Sequence, residues 1–377
     1  MNPSSPDFIT RRKFLPLLAA GAVGPWQSRR ARAVESESEP ADGDRLRVAQ
    51  IGTTHPHAAG KLQAVRALAD RFEVVAWSDS DPARRRAAAG REAFAGIETV
   101  EPEALFDLPN LDLILVETDI EEAPEMTRRA LEAGAHVHLD KPGGLDHEEF
   151  AAVRRLAEER GLILQMGYML RHQPMFEFLF EIVREGWLGD VIEVDASMGK
   201  RASATERRQL AALPGGGMFE LGCHLIDAVM TVLGKPERIH AVATPTATGA
   251  EGGFEDNQLA VLEYPAKGAN AVVRCHHADP FGGPRRRFGV AGTAGFIEVA
   301  PLESGRAVLM LEHDRPGHAA GRHELHLPME HGRYGGEFIA LGNAIRGRQP
   351  LWWDADHDVA VHAAVLRASG VTSGASN

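Results

Sequence analysis

From residue 45 onward the chain alternates short apolar runs with stretches of helical periodicity. Residues 45–52 (RLRVAQIG) form an apolar run closed by glycine, and residues 57–70 repeat their apolar positions at helical spacing. Residues 72–77, 111–116, 135–139 and 162–166 are further strand-length apolar runs, with helical patterns over 82–95, 121–133 and 146–160 between them. Strands this apolar, each followed by a helix, are buried on both faces. The pattern therefore predicts a Rossmann-like α/β domain, a doubly wound parallel sheet over residues 45–167.

The rhythm changes after Gly167. Helices are expected over residues 174–185, 218–233 and 356–369. Strands are expected over 191–197, 238–243, 258–264, 271–275, 287–290, 295–299, 307–311 and 324–327, with little helix between the later ones. Turn signals such as Pro265-Ala266-Lys267-Gly268 and Gly282-Gly283-Pro284 separate them. Residues 168–377 thus read as an α+β domain with a large, mostly antiparallel, open-faced sheet covered on one side by helices.

Composition agrees with two cores. The chain has 377 residues, and its 44% hydrophobic and 25% charged content excludes a disordered chain. Two cysteines, Cys223 and Cys275, are too few for a disulfide-stapled or Cys-rich zinc scaffold, and nothing in the sequence brings them together. Lys and Arg number 41 against 53 Asp and Glu, a formal charge of −12. Such a surface repels phosphate backbones, so no nucleic-acid partner is expected.

That charge is uneven. Residues 1–33 hold six basic groups (Arg11, Arg12, Lys13, Arg29, Arg30, Arg32) and one acid, Asp7. Thr10-Arg11-Arg12-Lys13-Phe14-Leu15 precedes a short apolar run to Val23, and Ala31-Arg32-Ala33 supplies a small-x-small cleavage site. The run falls short of the about 20 apolar residues that span a bilayer. The layout resembles a twin-arginine export signal over residues 1–33, which predicts the translocation machinery as a partner and a periplasmic or cell-envelope location. Residues 34–44 (VESESEPADGD) read as an acidic linker. Without residues 1–33 the balance becomes 35 basic against 52 acidic groups, so the working body is more acidic than the whole chain.

Candidate chemistry clusters at predicted strand ends, where α/β sheets bind ligands. The first strand-to-helix junction is Gly52-Thr53-Thr54-His55-Pro56-His57, of which only the first glycine fits the dinucleotide fingerprint. Asp79, closing the second strand, can accept from an adenosine ribose diol or cap the next helix. Asp140-Lys141-Pro142-Gly143-Gly144 places Lys141 at the sheet edge, where an ammonium can stabilise developing oxyanion charge. Glu220 and His224 stand at i and i+4, and His224 and Asp227 at i and i+3. That spacing predicts an imidazole between two carboxylates, with a raised pKa. His55, His57, Glu117, Asp119 and His138 could gather at one sheet edge. Yet His136 and His138 merely alternate on a strand, and no metal is expected.

Taken together these segments resemble the glucose–fructose oxidoreductase, inositol dehydrogenase and related proteins, called Gfo/Idh/MocA. Asp140-Lys141-Pro142 looks like that family's Glu-Lys-Pro, and Ala133-Gly134-Ala135-His136-Val137 like the segment before it. Gly167-Tyr168 to Arg171, then Gly186-Trp187-Leu188-Gly189, resembles the crossing into the second domain. Gly216-Gly217 to Asp227 is similar to its G-G…D-x-x-x-H-x-x-D, with Glu220 in place of aspartate. Gly289-Val290-Ala291-Gly292-Thr293-Ala294-Gly295 looks like the family's sheet hairpin. The departures are Thr54 and His57 in the glycine loop, and Glu117-Thr118-Asp119 and Ala123 where the family has Thr-Pro and a histidine.

The resemblance implies an oxidoreductase that moves a hydride between NAD(P) and a sugar, polyol or related hydroxy compound. Lys141 and His224 would handle the hydroxyl proton and Glu220 would position substrate or histidine. Gly52, Thr53, Thr54, His55, Asp79, Glu117, Lys141 and Pro142 would hold the cofactor, with NAD favoured by Asp79. Tyr168, Arg171 and Asp227 would contact substrate. An exported enzyme is expected to keep its cofactor tightly bound, and the family implies a homo-oligomer paired through the open sheet. The alternatives are an NAD-assisted glycoside hydrolase of the same superfamily and a non-catalytic ligand-binding homologue with a degenerate nucleotide site.

Overall fold

A computed structural model describes residues 45–371; the expected export signal and linker lie outside them. Six parallel strands form the first sheet: β1 (Leu46–Ile51), β2 (Phe72–Ser78), β3 (Glu98–Thr99), β4 (Leu113–Val116), β5 (His136–Leu139) and β6 (Leu164–Met166). Their order, β3-β2-β1-β4-β5-β6, reverses direction between β1 and β4. That switch point opens the crevice at the strands' carboxyl ends where such sheets take ligands. The predicted doubly wound sheet is therefore present, with the two-residue β3 added at its edge.

The second sheet has eight strands: β7 (Val191–Gly199), β8 (Arg238–Thr244), β9 (Asn257–Tyr264), β10 (Ala269–His276), β11 (Arg287–Gly292), β12 (Gly295–Val299), β13 (Arg306–Leu311) and β14 (Gly321–His326). The order is β14-β13-β12-β11-β7-β10-β9-β8, antiparallel except where β10 runs parallel to β7. β9 shows the predicted two-residue period, with Gln258, Ala260, Leu262 and Tyr264 buried and their neighbours less so. Ile192, Val242 and Met310 are exposed large apolar residues on strands of this sheet. Among the described residues, no helix is long and apolar enough to cross a membrane.

One hydrophobic cluster runs from the first sheet (Ile51, Val116, Leu139) through the helices Pro174–Arg184 and Cys223–Leu233 to the second sheet (Val194, Val290, Ile297). A second lies on the opposite face of the first sheet, around Val48, Leu62, Trp77 and Leu115. It is closed by Phe338 and Leu341 of the helix Gly332–Ile345. This helix follows the whole second sheet in sequence yet returns to the first domain, packing on the helix Ala58–Ala67. Its glycines hide it from a propensity reading, since glycine disfavours a helix interior. They also permit the approach: a Cβ on Gly336 would come within 2.5 Å of the backbone oxygen of His172.

Candidate active site

The crevice at the end of β1 has two halves. On one side a cavity of about 240 Å³ is lined by residues that include Gly52, Asp79, Arg84, Thr118 and Arg129. Gly52 adopts a positive φ of 91°, and a Cβ there would meet the Thr118 backbone nitrogen at 2.5 Å. Only glycine lets the two strand ends close so tightly. Asp79 Oδ2 accepts from the Thr53 backbone (2.9 Å) and hydroxyl (2.6 Å), and Oδ1 from the Asp81 backbone (3.0 Å) and Arg84 Nε (2.7 Å). Burial opposes ionisation of Asp79, but these donors outweigh it and lower its pKa. The helix cap of the sequence reading falls to the neighbour: Asp81, not Asp79, accepts from Ala83 N.

On the other side the loop folds down onto the sheet, where His55 N donates to the Glu117 backbone oxygen at 3.1 Å. Pro56 holds the two imidazoles on either side of it edge to face, their centroids 4.7 Å apart. Both reach Asp140 Oδ2 through Nδ1, His55 at 3.0 Å and His57 at 3.2 Å. Lys61, one helical turn beyond His57, brings Nζ to the same oxygen at 2.8 Å and lies 3.8 Å from Glu117 and 3.7 Å from Glu337. Burial opposes the charge on Lys61, but Asp140, Glu337 and Glu117 outweigh it and raise its pKa. Burial likewise opposes ionisation of Asp140, which the His55, Lys61 and His57 charges hold well below the carboxylate range. Burial, then Asp140, pushes Glu117 well above it. His57 falls to about 4, chiefly by burial.

Thr54 occupies the usual place of the second fingerprint glycine, and its hydroxyl is buried without a hydrogen-bond partner. The metal-candidate set divides. His55 and His57 meet at Asp140, His138 lies behind with Nε2 3.5 Å from Glu337, and Asp119 is half-exposed on Arg84 at 3.3 Å. Lys61 and Glu337 were invisible as site residues in the sequence. The sole signal for Lys61 is its i+4 spacing from His57 on a helix whose other inward positions are apolar. Glu337 rides on the glycine-rich helix that periodicity did not reveal.

Next to this cluster, Lys141 and Pro142 are joined by a cis peptide bond, and Lys141 N donates to Asp140 Oδ1 at 2.7 Å. Lys141 Nζ donates to the Glu220 backbone oxygen at 2.7 Å and to its carboxylate at 3.1 Å. The predicted helix over 218–233 begins as a π-helical turn, Met218–Gly222, before the α-helix Cys223–Leu233. The wider turn breaks the i, i+4 alignment that placed Glu220 against His224. Glu220 goes to Lys141 instead. Burial opposes its charge, but Lys141 and Lys200 bring its pKa to about 2.

The expected carboxylate sandwich around His224 is therefore absent. Asp227 pairs with Arg171 at 2.6 Å and His357 at 3.2 Å, and Arg171 also reaches Asp358 at 2.7 Å. His224, 1% exposed, has its pKa pushed well below 6.5 by burial and by the Lys141 and His57 charges, the reverse of the expected rise. Arg171 and Asp227, expected to contact substrate, are spent on each other inside the protein. Tyr168, buried, stacks its ring against Arg171 and lies edge-on to His224 with centroids 6.1 Å apart. Cys223 and Cys275 are both buried and free.

Comparison with known proteins gives a consistent picture. Residues 46–168 match the model of the GFO/IDH/MocA oxidoreductase family with its NAD-binding Rossmann fold, and residues 176–298 match the model of the GFO/IDH/MocA C-terminal domain. D-xylose 1-dehydrogenase (NADP(+)) 2 of Haloferax volcanii is 29% identical over 255 residues, 67% of this chain and 74% of that protein. The dTDP-3,4-didehydro-2,6-dideoxy-alpha-D-glucose 3-reductase of Streptomyces violaceoruber is 28% identical over 309 residues, 80% of this chain and 86% of that protein. The crystal structure of aldose-aldose oxidoreductase from Caulobacter crescentus, complexed with glycerol, superposes with a TM-score of 0.72. It is 21% identical and covers 86% of this chain and 98% of that one, which establishes a shared fold.

Proposed function

Because the chain belongs to the Gfo/Idh/MocA family of NAD(P)-dependent oxidoreductases, we propose that it oxidises or reduces a sugar, polyol or related hydroxy compound outside the cytoplasm, with Lys141 and His224 handling the hydroxyl proton. The observation that carries this reading is a buried ammonium at the sheet edge whose charge reaches a neutral imidazole on the helix Cys223–Leu233 and helps to lower its pKa. Lys141 stays charged: burial opposes it, but Glu220, Cys223 and Asp140 raise its pKa. Two of its three protons go to Glu220, leaving one for a substrate oxygen. His224 is neutral at pH 7 and its Nδ1 has no hydrogen-bond partner, so a ring nitrogen is free to take a proton.

The first half of the crevice fits the adenosine end of a dinucleotide. It has a cavity at the switch point, a glycine at its floor and polar groups at its rim. Bound there, NAD(P) supplies the hydride-accepting nicotinamide. All four acceptor positions of Asp79 are filled, and Arg84, which donates to Asp79, Asp119 and Ser80, stands in the cavity wall. That arrangement favours a 2′-phosphate, and hence NADP, over the NAD preference read from Asp79 alone. The layout of residues 1–33 supports export by the twin-arginine route. Free nucleotide is scarce outside the cytoplasm, so the cofactor is held through turnover and restored by a second substrate. The exposed apolar residues of the second sheet support pairing of two copies.

Native mass spectrometry of the purified protein, followed by calorimetry with NADP(H) and NAD(H), tests the cofactor. A panel of aldoses and polyols with absorbance of the reduced nicotinamide as readout tests the reaction. A nucleotide-free protein that binds neither dinucleotide overturns the reading.

A further inference from the structure

We propose that His55, His57 and Asp140, joined by Glu117, form a binding site for one divalent transition-metal ion of the zinc or cobalt class. The candidate ligand atoms, one each from His55, His57 and Asp140, all lie within 4.8 Å of one another. His55 Nδ1 to Asp140 Oδ2 is 3.0 Å, His57 Nδ1 to the same oxygen 3.2 Å, and Glu117 Oε2 to His55 Nδ1 3.5 Å. Tetrahedral coordination with bonds of about 2.0–2.1 Å sets its ligand atoms about 3.3 Å apart, close to the separations of His55 and His57 from Asp140 and of Glu117 from His55; His55 Nδ1 also accepts from His57 N at 3.2 Å, a donor that the ion would replace.

Glu117 points to the ligand independently. Its side chain is 0% exposed, and neither carboxylate oxygen has a hydrogen-bond donor. Buried carboxylates are ordinarily satisfied, so this one is poised for a partner that is not a protein hydrogen-bond donor. Charge leads the same way. Three buried carboxyl groups, Glu117, Asp140 and Glu337, surround the single ammonium of Lys61, so acidic groups outnumber cations beside the two imidazoles.

Two imidazoles with carboxylates suit zinc, cobalt or a similar ion and not magnesium or calcium, which prefer oxygen alone. His57 is the most accessible of the four side chains, at 14%. Its ring faces His224 at 6.4 Å and Tyr334 at 5.4 Å between centroids. An open coordination position on that side meets the substrate end of the crevice, away from the adenosine cavity. The broken glycine loop is then a replacement: Thr54-His55-Pro56-His57 exchanges a close backbone approach for two metal-binding rings.

The test uses full-length protein stripped with chelator and titrated with CoCl2, read by visible absorption and by metal analysis after dialysis. One equivalent bound per chain is expected, with the ligand-field bands of a four- or five-coordinate nitrogen–oxygen site. ZnCl2 should displace it and MgCl2 should not. His55→Ala and Glu117→Gln should each weaken cobalt binding at least about tenfold, while His240→Ala, on an exposed stretch of β8, should leave it unchanged. Circular dichroism of each metal-free variant establishes that it is folded; if His55→Ala is not, the isosteric Glu117→Gln decides. A wild-type protein that takes up less than one equivalent overturns the proposal, as does undiminished binding in the folded variants. The readout is metal binding without turnover, so it stands or falls separately from the oxidoreductase reading.

Discussion

The two halves of the crevice are built on the same strand ends and solve opposite problems. At the adenosine half the buried carboxylate, Asp79, receives four donors and is fully paired. At the other half Glu117, His138, Glu337 and Thr54 keep buried polar atoms with no hydrogen-bond partner, a few ångströms from an ammonium and two imidazoles. Paired groups hold a shape. Unpaired buried groups cost stability and persist where something else engages them. The contrast assigns recognition to the first half and chemistry to the second.

The largest expected effects break the second half. On the proposed reading, Lys141→Ala removes the group that donates to the substrate oxygen, and His224→Ala removes the group that takes its proton. Each should lower kcat by on the order of 10²–10⁴ with the fold intact, measured as turnover beside the thermal midpoint. Equal turnover in wild type and His224→Ala would remove His224 from the mechanism. A loss of stability, without a direct role in chemistry, is expected at the pillar beside the site. Arg171→Ala leaves Asp227 and Asp358 buried without their cation, and breaking such a pair costs about 3–5 kcal/mol. Urea unfolding reads that loss. A midpoint unchanged from wild type contradicts the structural role given to Arg171.

A smaller effect sharpens the first half. Arg84→Ala should weaken NADP(H) by about tenfold, the value of one charge-assisted contact, and leave NAD(H) nearly unchanged. Calorimetry with both nucleotides measures the ratio. Equal losses for the two would return the discrimination to Asp79.

How much of this was legible in the sequence follows the same division. Most strands and helices of residues 45–167 were readable because they bury an apolar pattern; β3, both of whose residues are exposed, and the short helix Pro102–Phe106 have none and were missed. The sites of Gly52, Asp79 and Lys141 followed from their places at strand ends. Three things were not readable. The π-helical turn Met218–Gly222 has no periodic signature, so Glu220 was aligned with His224 when it binds Lys141. The helix Gly332–Ile345 is rich in glycine and follows the other domain, so Glu337 was not placed beneath the loop. His55 and His57 were seen as candidates, but their common partner Asp140 belongs to a motif read for its lysine. Long-range convergence on one oxygen is a property of the packed sheet edge, and local pattern carries no trace of it.

The smallest effect concerns Glu220, which is held by Lys141 through both its carboxylate and its backbone oxygen. Its folded pKa of about 2 lies below the ordinary 4.5. A depressed carboxylate pKa contributes stability that is fully present above the unfolded value and is lost as pH falls through the folded one. The contribution of Glu220 is thus complete at neutral pH and declines from about pH 4.5 toward 2. Glu220→Gln keeps the shape and removes the charge, so its thermal midpoint should lie below that of wild type at about pH 6, approach it below about pH 4.5 and converge with it only near pH 2. Curves that run parallel over that range would mean that Lys141 gains nothing from the carboxylate and is held by the Glu220 backbone oxygen alone. The π-helical turn would then be there to present a carbonyl, and the family's aspartate position would be free to vary for reasons unrelated to charge.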